Sequence, residues 1–95
     1  MDRQEIEKLS SFYKVLAEKN RLGILSLLER QDMCVHELMC KLSISQSLVS
    51  HQLKILRDAN VVVTRRRGNE VVYSLADKHI EVLLDIAKEH INEGK

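Results

Sequence analysis

Between residues 60 and 77 the apolar residues of this 95-residue chain leave a helical period, take up a strand-like one, and then return to a helical one. Val61–Val63 and Val71–Tyr73 are β-branched or aromatic runs, and Gly68-Asn69 between them supplies turn chemistry. A two-stranded hairpin flanked by helices is the predicted result. Before the hairpin, Ile6, Leu9, Phe12, Tyr13 and Leu16 recur at helical spacing and mark a first amphipathic helix. Asn20 is the expected cap of a second, with Leu22, Leu25 and Leu28 facing inward. Val35, Leu38, Met39 and Leu42 mark a short third helix. Ser45 caps a fourth that ends near Arg57 and turns Val49, Leu53 and Leu56 inward. From Asp77 onward Ile80, Leu83, Leu84, Ala87 and Ile91 share one face. The predicted chain is mostly α with a small β-hairpin, in the order ααααββα.

With no Pro, no low-complexity tract and no internal repeat, residues 1–95 read as one domain. That length is close to the lower end of what a single core can hold. No apolar run approaches the ~20 residues a membrane span requires. The opening MDRQEIEKLS is too polar for a secretory signal, so the expected location is the cytoplasm. Cys34 and Cys40 are too few for a disulfide framework and suit reduced thiols. Without Trp, and with one Phe, the chain lacks an aromatic platform for single-stranded nucleic acid. The last helix is apolar on more than one side, since Val82 and Ile86 widen its stripe. One small core cannot easily cover both this helix and the long first one, which points to a homodimer through the two.

The overall charge of +1 conceals a separation. From Lys41 to Arg67 six basic residues face one acid, Asp58, a net of +5, while the remainder carries −4. A local polyanion-binding region on an acidic body is expected. On the fourth helix Ser47, Ser50, His51 and Lys54 follow i, i+3, i+4, i+7, with Gln46 alongside. Hydroxyl, amide and imidazole groups of this kind hydrogen-bond base edges in a major groove, and a cation at the far end meets phosphate. The tight Leu42–Ile44 connection between the third and fourth helices matches helix-turn-helix geometry. Arg65, Arg66 and Arg67 are expected as unneutralised cations at the hairpin tip, in reach of phosphate or minor groove. An ordinary solvated face would carry more acidic side chains than this one does.

The run SISQSLVSHQLKILRDANVVVTRRRGNEVVYSL resembles the reading head and wing of the ArsR/SmtB family of metal-sensing repressors. VLAEKNRLGILSLL resembles that family's second-helix signature, and the whole likeness spans residues 10–93. It implies a winged helix-turn-helix homodimer, held by its first and last helices, on an imperfect inverted repeat. By the same resemblance Gln46, Ser47, Ser50 and His51 face DNA and Arg65–Arg67 lie on the wing. The reading head then covers about 34–57, the wing about 61–75, and the dimerisation and sensing helix about 77–93.

Asp77, His79, His90 and Glu93 form an imidazole and carboxylate set suited to tetrahedral zinc without thiolate. Asp77 at the helix start can converge with His79, and His90 and Glu93 are i, i+3. The pairs stand eleven residues apart. That is roughly 16 Å of helix axis, too long for one ion on one straight helix, yet close to three whole turns. Two antiparallel helices would bring Asp77 and His79 of one chain beside His90 and Glu93 of the other, giving two sites per dimer. Spacing alone equally suits scattered polar groups with Asp77 as an N-cap. The resemblance implies the metal site, because D-x-H followed by H-x-x-E is the pattern of the family's zinc sensors; cobalt or nickel fit the same donors. It also implies a hydrogen bond from the second nitrogen of His90 to backbone near Asn60.

Cys34 and His36 are a second candidate site, for metal or redox chemistry, where soft-metal sensors of the family carry cysteines at the third helix. No earlier cysteine supplies further ligands, and Cys40 lies about 240° round a helix from Cys34. The expected function is a repressor that releases operator DNA on binding zinc. The alternative is a repressor of the same family that answers arsenite, another soft metal or thiol oxidation through Cys34. A metallohydrolase would need a pocket that a small helical dimer hardly offers, so no enzymatic activity is expected. A helix-turn-helix used only for protein contact is disfavoured by the three arginines.

Overall fold

The computed structural model describes residues 1–94. Helix α1 (Arg3–Ala17) starts at Asp2, whose carboxylate accepts the Glu5 amide at 2.8 Å. It stops because Glu18 turns extended and becomes the cap of α2 (Lys19–Leu28). The Glu18 carboxylate accepts both the Asn20 and Arg21 amides at 3.1 Å. The cap is therefore Glu18 rather than Asn20: its longer side chain satisfies two of the orphan N–H groups at the helix start. These bonds, that from Asn20 foremost, hold the Glu18 carboxyl below its usual range.

A two-residue strand β1 (Met33–Cys34) precedes α3 (Val35–Leu42). Helix α3 ends at Ser43, which adopts the left-handed conformation (φ 55°) and donates its N–H to the Met39 carbonyl at 2.8 Å. Ser45 then caps α4 (Gln46–Asp58), its hydroxyl accepting the Leu48 amide at 3.2 Å. Two helices are thus joined by a three-residue turn closed at both ends by local bonds. Helix α4 ends in a second left-handed residue, Asn60 (φ 60°), and the Val61 amide returns to the Leu56 carbonyl at 2.9 Å. Asn tolerates that conformation better than most residues.

Strands β2 (Val62–Arg67) and β3 (Glu70–Leu75) form the hairpin, in register from Val62 opposite Leu75 to Arg67 opposite Glu70. Gly68 supplies the positive φ (63°) that the two-residue turn needs. β1 adds to the other edge of β3, giving an antiparallel sheet in the order β1-β3-β2. Helix α5 (Lys78–Glu93) closes the chain. The predicted order holds, with β1 as an addition too short to leave a periodic signal.

The core is built from Ile24, Leu25, Leu38, Val49, Leu53, Leu56, Val61 and Val62, all essentially inaccessible. Each such side chain contributes about 1.5–3 kcal/mol by leaving water. Leu22 is exposed, not inward as expected, because α2 turns Ile24, Leu25 and Leu28 to the core. The outermost helices behave differently. Only Leu16 of α1 and Ile80 of α5 are buried, while Ile6, Leu9, Tyr13, Val82, Ile86 and Ile91 stay exposed. No helix among the described residues is long and apolar enough to cross a membrane.

Candidate nucleic-acid interface and metal-ligand pairs

The second helix of the helix-turn-helix presents the face that its spacing predicts. Gln46, Ser47, Ser50, His51 and Lys54 are all exposed on α4, opposite its buried Val49, Leu53 and Leu56. The Ser47 hydroxyl lies 3.2 Å from that of Ser45 at the helix start. Lys54 pairs with Asp58 one turn on, at 3.0 Å, with both side chains largely in solvent. Such a pair is weak, so the ammonium exchanges readily for another anion.

The wing departs from expectation. Arg65 reaches Asp32 at 2.9 Å, and Arg67 reaches Glu37 at 3.3 Å and Glu70 at 3.4 Å. Arg66 alone of the three is in no ion pair among the described residues. The tip is therefore not an unneutralised triple cation. Strand alternation explains the division: Arg65 and Arg67 share one face of β2, and Arg66 takes the other. Pairing of β1 with β3 brings Asp32 to that shared side, and Glu37 at the start of α3 lies there too. All three guanidinium groups remain exposed.

Behind α4 lies a polar arrangement that the sequence reading missed. Gln52 is buried (7% exposed), and its side-chain oxygen accepts Nη1 of Arg21 at 2.6 Å. The same guanidinium donates from Nε to the Val15 carbonyl at 2.6 Å and from Nη2 to the Lys14 carbonyl at 3.4 Å. The available signal was a glutamine beside Leu53 on the inward side of an otherwise apolar stripe, which demands a partner.

The four predicted ligands fall into two separate pairs. Asp77 is the N-cap of α5: its Oδ1 accepts the His79 amide at 2.9 Å and lies 3.3 Å from His79 Nδ1. His90 and Glu93 sit in the last turns of the same uninterrupted helix, and all four residues are exposed. Within one chain, no three His, Cys, Asp or Glu of the described residues cluster closely enough to hold a metal. Imidazole and carboxylate are donor types that zinc accepts, and within one chain they stand as two separate pairs.

The structure does not bring Cys34 and His36 together. Cys34 is buried in β1, whereas His36 is exposed on α3 with its Nε2 3.6 Å from the exposed Cys40 thiol. Burial pushes the Cys34 thiol up from its usual range, and the Glu70 and Glu37 carboxylates add to this against an opposing Glu37 backbone contribution. A thiol so placed is a poor nucleophile and a poor thiolate donor.

A helix-turn-helix of α3 and α4, with the β2–β3 hairpin beside it on a helical core, defines a winged helix-turn-helix protein. Residues 18–64 match the model of the arsR family of bacterial regulatory proteins. The chain is 40% identical over 94 residues to a protein of Synechocystis named transcriptional repressor SmtB homolog, covering 99% of this chain and 71% of that protein. It is 39% identical over 97 residues to the HTH-type transcriptional regulator NmtR of Mycobacterium tuberculosis, covering 99% of this chain and 81% of that one. The crystal structure of Rv0081 from M. tuberculosis superposes with a TM-score of 0.88 at 36% identity, over 98% of this chain and 93% of the other. The chain belongs to the ArsR/SmtB family of regulatory proteins.

Proposed function

We propose that this protein is a dimeric transcriptional repressor that reads an inverted-repeat operator and releases it when zinc binds at α5. The observation that carries the reading is the exposed, acid-free stripe of Ser47, Ser50 and His51 on the second helix of a helix-turn-helix. In this reading Gln46, Ser47, Ser50 and His51 contact base edges, while Lys54 and Arg65–Arg67 contact phosphate. Arg66 engages directly. Arg65 and Arg67 do so by exchanging Asp32 and Glu37 for phosphate. The chain acts as one unit over residues 1–95 and as a regulator, without an enzymatic reaction.

A homodimer through α1 and α5 is supported by the exposed Ile6, Leu9 and Tyr13 on one helix and Val82, Ile86 and Ile91 on the other. In the dimer, Asp77 and His79 of one chain and His90 and Glu93 of its partner supply two imidazole nitrogens and two carboxylates to each zinc. When bound, the ion would supply compact double positive charge at these four donors. Cobalt or nickel would use the same set. Donor convergence across the two chains biases the dimer toward a spacing of its α4 helices unsuited to successive major grooves. DNA must then weaken zinc binding by the same factor by which zinc weakens DNA binding.

The test starts with duplexes selected from a random-sequence pool by the metal-free protein. Titration of selected and random duplexes is then repeated with and without zinc under reducing conditions. Strongly salt-dependent binding with a preference for the selected duplex, weakened by zinc, is expected. Equal affinity for both duplexes at moderate salt removes the repressor reading; preference that zinc leaves unchanged removes the sensing half.

A further inference from the structure

One guanidinium joins three helices at the back of the reading head. Arg21 stands in the first turn of α2, beside the Glu18 carboxylate at 4.0 Å. Two of its donors end on Val15 and Lys14 carbonyls in the last turn of α1. Those carbonyls have no later helical N–H to receive, and they carry the negative end of the helix dipole, so a cation is the natural partner. A further donor ends on Gln52 in the middle of α4. The Arg21 side chain is only 14% exposed, and Gln52 is buried on the side of α4 that carries the core residues Val49, Leu53 and Leu56.

Gln52 lies two residues from both Ser50 and Lys54, about 160° round the helix from each. It therefore anchors α4 from the side opposite the exposed stripe. We propose that Arg21 and Gln52 are positioning residues for DNA reading, in which a guanidinium fork sets the roll of α4 against the end of α1. This rests on the reading of α4 as the DNA-contacting helix. α1 carries the apolar face assigned above to the dimer, so the same fork ties the orientation of each reading helix to the dimer frame.

The geometry explains why a small loss matters. Side-chain tips lie about 5–6 Å from a helix axis, so a roll of about 10° moves them by about 1 Å. That displacement is enough to spoil a hydrogen bond to a base edge, whose donor–acceptor distance is confined to about 2.7–3.2 Å. Phosphate contacts through flexible lysine and arginine side chains accommodate it. Loss of the fork is expected to reduce sequence preference and leave general DNA affinity in place.

Gln52→Met keeps the length and removes the strong acceptor, whereas Gln52→Glu keeps an acceptor that a guanidinium binds well. Both are compared with the wild type, metal-free, on a duplex selected by the wild-type protein and on a random duplex of equal length. Gln52→Met is expected to lower the selected-to-random affinity ratio by about tenfold or more. Its affinity for the random duplex, and the salt slope, stay within about twofold of wild type. Gln52→Glu retains most of the ratio. A purely space-filling glutamine would give the reverse order, because an apolar methionine then replaces it better than a carboxylate. An unchanged ratio in Gln52→Met, or an equal loss in Gln52→Glu, overturns the proposal. If far-ultraviolet dichroism and melting show that Gln52→Met is unfolded, Arg21→Lys takes its place. A single ammonium cannot span acceptors on α1 and α4 together, and a retained ratio there overturns the proposal equally. Failure of the wild type to select any duplex appears before any variant is made; it removes the DNA reading and this inference with it.

Discussion

His79→Ala and His90→Ala, studied apart and then in one heterodimer, test the proposed two-chain metal site. Helix α5 runs without interruption from Lys78 to Glu93, so the two histidines are held apart by the helix itself. Their eleven-residue separation amounts to roughly 16 Å of axis. Zinc–nitrogen bonds of about 2.0–2.1 Å allow two donors on one ion to stand only about 4 Å apart. One chain therefore cannot complete a site, and each homodimeric variant should lose tight zinc binding at both of its sites. In the heterodimer one site combines the two altered ends and is doubly broken. The other combines an intact Asp77–His79 end with an intact His90–Glu93 end and should bind normally. At zinc a hundredfold above the dissociation constant, that single site stabilises the folded dimer by about 2.7 kcal/mol. For an assembly of this size the melting temperature rises by about 2–4 °C per kcal/mol, or about 5–11 °C in all. Heterodimers purified through two different tags would be titrated with zinc against a chromophoric chelator and then melted with and without the metal. One tight zinc per heterodimer, with none in either homodimer, is the expected result. A verified heterodimer that binds no zinc tightly, or a homodimeric variant that keeps both sites, refutes the geometry.

Arg66→Ala should lower the log–log salt slope of duplex binding by about 0.9 and weaken selected and random duplexes alike. Asp32→Asn, which releases Arg65, should strengthen random-duplex binding, as gel shifts at two salt concentrations would reveal. At neutral pH iodoacetamide should modify the exposed Cys40 well before the buried Cys34, whose thiol burial has pushed up; equal rates by mass spectrometry contradict the burial argument. Glu29 has a side chain only 12% exposed, 3.6 Å from Lys88, and burial first, then Asp85, raises its carboxyl above the ordinary 4.5 against the pull of Lys88. The folded chain thus retains this proton where the unfolded chain has released it, and stability falls as pH rises upward from about 4.5. Glu29→Gln removes that fall, so its stability relative to wild type should increase from pH 4.5 to 7 in denaturant titrations; a constant difference refutes the assignment.

Much of the architecture was written locally. The apolar periods of the helices, the β-branched runs of the hairpin, Gly68 at its turn and Ser45 at the start of α4 depend on neighbours a few residues away. So does the exposure of Ser47, Ser50 and His51, which follows once Val49, Leu53 and Leu56 face inward. The eleven-residue interval in α5 already ruled out one ion held by both ligand pairs of a single helix, because helical rise is a property of the backbone. Features that depend on distant residues were not legible. β1 exists because Met33 and Cys34 meet Tyr73 and Val72 on β3. Arg65 and Arg67 lose their free charge because Asp32 and Glu37, some thirty residues earlier, come to the same side of the sheet. The cap at Glu18 was missed for a different reason: short polar side chains are the usual caps, and a longer one succeeded only because the α1–α2 corner leaves it beside the Asn20 and Arg21 amides. Arg21 and Gln52, 31 residues apart, were invisible as a pair. A buried polar group announces that it needs a partner, but local periodicity does not say which one; packing of α1, α2 and α4 around a common core decides it.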